Sequence, residues 1–124
     1  MDLRPTPEQA QLVDAFAGLY AKHSAPEHVR AAEPTGFDET LWRRVLDLGV
    51  LAMAVDQEHD GWGASLLDLA LMAEQQGRAV APVPIIESQA AVRLLARTGG
   101  EAAKPTGRLM PDMDPAQNFG AKLL

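Results

Sequence analysis

The chain has 124 residues, of which 47% are hydrophobic and 23% charged, with no cysteine and a formal net charge of -6. That length accommodates one compact domain around a single core. The absence of cysteine excludes a disulfide framework, a thiolate metal site and a cysteine nucleophile. The net negative charge, all of it carried by residues 1–100, repels phosphate backbones and anionic lipid heads, so neither nucleic acid nor membrane is an expected partner. No apolar run approaches the ~20 residues of a membrane span, and the polar, proline-containing start lacks the pattern of an export signal. The cytoplasm is the expected compartment.

The first helix has a readable start. Thr6 is placed to cap it, Pro7 suits the first helical position, and Gln9 stands where a capping box requires a side-chain acceptor. Leu12, Val13, Phe16, Leu19 and Tyr20 then recur at helical spacing, and the helix is expected to end between His23 and Pro26. Residues 27–32 read as a short second helix before a turn. Asp38 caps a third, in which Leu41, Trp42, Val45, Leu46 and Leu48 face inward and Gly49 supplies a left-handed stop.

Residues 50–55 are apolar but too few for an independent helix, so they read as a buried connector to the exposed loop 56–64. Ser65 and Asp68 open a fourth helix whose Leu66, Leu67, Leu69, Ala70, Leu71 and Ala73 are apolar nearly all round, which places it in the middle of a bundle. It should end near Gly77. After Ala81-Pro82-Val83-Pro84, a last helix runs from about Ile85 or Ser88 to Arg97 and is closed by Gly99-Gly100. The fold class is all-α, a helical bundle of four to five helices with short connections. Residues 1–103 form the helical domain, and 104–124, with prolines, glycines and methionines in no period, form an irregular tail.

Several landmarks in order resemble the N-terminal domain of acyl-CoA dehydrogenases. They are Thr6-Pro7-Glu8-Gln9, the tryptophan helix ending in Leu48-Gly49-Val50-Leu51, the loop from Val55 to Ser65, and Glu74-Gln75-Gln76-Gly77-Arg78. The likeness covers roughly residues 5–100. It departs from the family at Asp56, where proline is usual, at His59, where an aromatic is usual, and at Asp60, where the first loop glycine is usual. The resemblance implies that the complete protein is an FAD-dependent flavoprotein of fatty acid metabolism. Such an enzyme dehydrogenates an acyl-CoA thioester at its α,β bond and passes electrons to an electron-transfer flavoprotein. It also implies that the flavin-binding regions and the glutamate base belong to middle and C-terminal domains, so no catalytic residue and no bound FAD is expected on this chain alone. What the resemblance does transfer is a wall of the acyl pocket at Val83, Pro84, Glu87 and Ser88.

Other residues invite functional readings that weaken on inspection. Glu58, His59 and Asp60, with Asp56 nearby, lack the spacing of a metal-binding loop and read as a solvated rim. Glu74 reads as a structural carboxylate accepting from a backbone amide or an arginine rather than as a base. His23, His28 and His59 have no triad partners at suitable spacing, and Gly61-x-Gly63 lacks the lysine and the strand-turn-helix setting of a phosphate loop. Trp42 reads as core and Trp62 as a contact for a partner domain.

Three functional readings remain open. The chain is a truncated acyl-CoA dehydrogenase that self-associates through its uncovered face, or a helical interaction subunit pairing with a complete dehydrogenase, or a small acyl-CoA-binding module. The second reading makes Met110, Met113 and Phe119 interface anchors.

Overall fold

A computed structural model describes residues 2–98. The expected tail 104–124, its anchor residues and the Gly99-Gly100 stop lie outside the described residues. The architecture is all-α: α1 (Pro7–His23), α2 (Pro26–Ala32), α3 (Glu39–Asp47), α4 (Leu66–Arg78) and α5 (Ile85–Thr98), with 3-10 turns at Ala52–Ala54 and Gln57–His59. No strand occurs among the described residues. By internal contacts the chain divides into two units, one of residues 1–41 and 66–83, the other of residues 42–65 and those from 84 onward.

In the first unit α1 packs on α4. The capping box forms in full, with Gln9 N–H donating to Thr6 Oγ1 at 3.2 Å and Thr6 N–H donating to Gln9 Oε1 at 2.9 Å. The same glutamine donates through Nε2 to Asp68 Oδ1 at 2.8 Å, so a local cap becomes a tie between helices. Phe16 and Tyr20, one turn apart, are the buried residues of α1, their ring centroids 6.1 Å apart. Further ties close the unit: Ser24 Oγ donates to the Ala79 carbonyl at 3.4 Å, Asp38 N–H to the Pro82 carbonyl at 3.0 Å, and Gln76 Nε2 to the Val83 carbonyl at 2.7 Å. Asp38 caps α3 as expected, its Oδ1 accepting from Leu41 N–H at 3.0 Å.

One expectation for α4 is corrected. It is not enclosed within its unit: Met72 and Gln75 are its buried residues, whereas Leu66 and Leu67 are 69% and 58% exposed. One packed helix covers one stripe of its neighbour, and α1 is the helix packed most extensively on α4. α4 ends at Arg78, next to Gly77 as expected, but Gly77 itself is helical. The left-handed residue is Val80 (φ +49°), with Val80 N–H donating to the Gly77 carbonyl at 3.1 Å and Ala81 N–H to the Gln76 carbonyl at 3.1 Å. That pair of bonds is a Schellman closure with valine where glycine is usual.

The second unit takes the rest of α3, the connector, the loop and α5. α3 closes by the same Schellman pattern, here with Gly49 (φ +80°): Gly49 N–H donates to the Leu46 carbonyl at 2.9 Å and Val50 N–H to the Val45 carbonyl at 3.3 Å. Val45, Leu46, Val50, Leu51, Met53, Ala54 and Val55 are buried, as are Ile85, Val92 and Ala96 of α5. Trp42 and Leu48 are half-buried rather than core. Gln89, also buried, donates to the Val50 carbonyl at 2.8 Å, satisfying a polar group that the core would otherwise strand.

The loop folds back onto the connector. Trp62 N–H reaches the Ala52 carbonyl at 2.9 Å, Gly63 N–H the Val55 carbonyl at 2.8 Å, and Ala64 N–H the Met53 carbonyl at 3.1 Å. A Cβ on Gly61 would lie 2.0 Å from the Val55 carbonyl oxygen, so this approach requires glycine. Asp60, at the position of the family's first loop glycine, takes a left-handed φ of +65°, a region aspartate tolerates better than most residues.

Candidate functional site

Each unit has a concavity of its own. In the second unit, Ala54, Val55, Asp56, Gly63 and Ala64 of the connector and loop, with Arg93, Ala96 and Arg97 of α5, line a pocket of about 190 Å³. Asp56 Oδ1 pairs with His59 Nδ1, and that bond holds the Asp56 carboxyl below the usual carboxylate range, with Arg97 adding a smaller attraction. The Nη1 of Arg93 is shut off from water and has no hydrogen-bond acceptor. In the first unit, Ala17, Tyr20, Ala21, Ser24, Ala25, Pro26, Gln75, Arg78 and Ala79 line a more open groove of about 290 Å³. The Tyr20 hydroxyl is buried without a partner, and desolvation pushes its pKa up to about 12.

Of the residues expected at the acyl wall, Val83 closes the first unit and Pro84, Glu87 and Ser88 belong to the second. Val83 is buried, and its carbonyl is held by Gln76. Pro84 and Glu87 are exposed and Ser88 is half-buried, with Ser88 N–H donating to the Pro84 carbonyl at 3.2 Å in the first turn of α5. The spacing 84, 87, 88 puts these three on one helical face. Glu74 is a surface carboxylate clasped by Arg78, whose Nη2 and Nε lie 2.7 and 3.1 Å from Oε1. Among the described residues no three His, Asp or Glu side chains are grouped to hold a metal ion. No helix of the described residues is long and apolar enough to cross a membrane.

Sequence reasoning singled out neither pocket. Arg93 and Arg97 stand one turn apart on α5, and only folding brings the connector and loop beside them.

Comparison with known proteins bears on what this helical chain is. The family profile described as "Acyl-CoA dehydrogenase, N-terminal domain" matches residues 6–112. The chain belongs to the acyl-CoA dehydrogenase family. It is 34% identical to acyl-CoA dehydrogenase IpdE2 of Mycobacterium tuberculosis, over 98% of this chain and 38% of that protein. It is 37% identical to acyl-CoA dehydrogenase IpdE2 of Mycolicibacterium smegmatis, over 64% of this chain and 26% of that protein. With acyl-CoA dehydrogenase FadE27 of Mycobacterium tuberculosis the identity is 35%, over 60% of this chain and 21% of that protein. This acyl-CoA dehydrogenase domain thus spans about two-fifths or less of the length of these relatives. No solved structure gives a significant match.

The family implies FAD in its complete enzymes. The two pockets, about 190 and 290 Å³, fall below the usual range for sites enclosing even drug-sized ligands. The residues lining them therefore do not fit a dinucleotide, and no chemical step is assigned to them through the flavin.

Proposed function

We propose that this chain acts as the N-terminal helical domain of an FAD-dependent acyl-CoA dehydrogenase. In that enzyme the flavin and the base that takes the α-proton of the acyl-CoA thioester are supplied outside residues 1–103. The family match along residues 6–112 is the observation that carries this reading. Val83, Pro84, Glu87 and Ser88 contribute to the acyl-pocket wall. Glu87 and Ser88 bring polar atoms at a helix start and exposed Pro84 an apolar surface, with buried Val83 preceding them in the chain; few polar groups among apolar surface is the composition expected of such a wall.

A second reading is favoured by exposed apolar side chains. Leu66, Leu67 and Val80 in the first unit, and Ile86 and Leu94 in the second, are each at least half exposed. Large apolar side chains left open within their units suit contact with further protein, either a dehydrogenase partner subunit or a second copy of this chain.

Co-purification of the tagged chain from its own cell extract tests both readings, with absorption recorded across the flavin bands and mass spectrometry of whatever accompanies it. A yellow complex containing a second dehydrogenase-like polypeptide is expected; a colourless chain without companions counts against the first reading and against a dehydrogenase partner, and leaves pairing of two copies to be measured by sedimentation. The acyl wall is tested separately in the complex with a photoreactive acyl-CoA. Cross-links should fall on the peptide containing residues 83–88, and labelling confined elsewhere removes these residues from the pocket.

A further inference from the structure

The 190 Å³ pocket of the second unit carries a local charge opposite to that of the chain. Arg93 and Arg97 lie at positions i and i+4 on α5 and both line it, while Asp56 is the one carboxylate among its lining residues. That carboxylate is engaged by His59, and the other lining residues are alanine, valine and glycine, which bring no side-chain acceptor. Arg93 is half-buried and its Nη1 is closed to water without an acceptor, so the guanidinium that lines the pocket is only partly hydrated. Such a guanidinium has more to gain from an arriving anion than one fully hydrated at the surface.

We infer that this pocket binds a small oxyanion of the phosphate or carboxylate type, held chiefly by Arg93 with Arg97 as the second cation. The forked donors of a guanidinium match two oxygens of such a group, and charge-assisted bonds of this kind are about twice as strong as neutral ones. The volume suffices: with roughly 30 Å³ as the share of one liquid water, the pocket has room for a tetrahedral oxyanion and several waters. Asp56 opposes the anion and draws Arg97 toward itself, which makes it the residue whose neutralisation should strengthen binding. The inference does not depend on the acyl-CoA reading.

The test is a titration of the ¹⁵N-labelled full chain near pH 7. The Arg93 Nε–Hε resonance and the backbone amides of Gly63 and Ala64 are followed while sodium phosphate or sodium acetate replaces sodium chloride at constant ionic strength. Saturable shifts with at least one oxyanion are expected, weakened about tenfold or more in Arg93→Gln and strengthened severalfold in Asp56→Asn. Saturation by phosphate alone assigns a phosphoryl group; saturation by acetate as well assigns a site open to carboxylates. Shifts no larger than those produced by chloride, or shifts unchanged in Arg93→Gln, overturn the inference. Should that variant fail to fold, Arg97→Gln at an exposed position takes its place, and unchanged affinity there overturns it equally.

Discussion

Val80 holds a left-handed backbone at the end of α4, although a β-branched side chain disfavours that region by roughly 1–2 kcal/mol. The side chain is 67% exposed and recovers little of this cost by burial. Val80→Gly removes the steric penalty and adds some unfolded-state entropy, so a net gain of roughly 0.5–1 kcal/mol is expected. A urea midpoint that fell instead of rising would show that the valine contributes more through packing than the backbone loses. Tyr20, 2% exposed, buries a hydroxyl with no partner, and Tyr20→Phe should range from neutral to about 1 kcal/mol stabilising. Its phenol also sets an alkaline limit. Burial raises the folded pKa from 10.0 to about 12, so the folded state holds this proton more tightly than the unfolded chain does. The resulting stability is fully present below pH 10 and is lost as pH rises toward and through 12, a change on the order of 2 kcal/mol. Because the chain has a single tyrosine, phenolate absorbance reports this group alone. A midpoint near 10 in the folded protein would contradict the burial.

Among the elements, the connector and its loop depend on two contacts that leave little tolerance. Gly61 lies against the Val55 backbone so closely that Gly61→Ala must push the loop away, at a cost of roughly 3 kcal/mol or more. Loss of protection from hydrogen exchange at Trp62, Gly63 and Ala64 should accompany it, and a variant as stable as the parent would mean that the loop does not close as described. Gln89 is the other contact. Gln89→Leu keeps the volume but strands the Val50 carbonyl, and should destabilise by about 1–3 kcal/mol in chemical denaturation.

At the scale of the molecule, exposed leucines compete with a net charge of -6. Apolar contact favours association while like charge opposes it, and salt screens the repulsion beyond about 10 Å at 0.1 M. Sedimentation velocity should therefore show self-association that strengthens from low to moderate salt, and Leu66→Glu with Leu67→Glu should weaken it at least tenfold. A monomer at every salt concentration would remove self-association from the proposed function.

Much of the fold was written in short stretches of chain. The Thr6–Gln9 box, the Asp38 cap and the Gly49 stop were readable because each depends on hydrogen bonds among residues a few positions apart. Helical spacing likewise marked Phe16, Tyr20, Val45 and Leu46 as inward-facing. Periodicity reports what a helix can bury, not what arrives to cover it, and so α4 was expected in the middle of a bundle while its leucines remain open within its unit. The need for glycine at position 61, the burial of Gln89 and the enclosure of Arg93 arise from segments separated in sequence and brought together by folding. Val83, Pro84, Glu87 and Ser88 rest on family resemblance, because the apolar and polar pattern around them suits an ordinary connection between helices as well as a ligand wall.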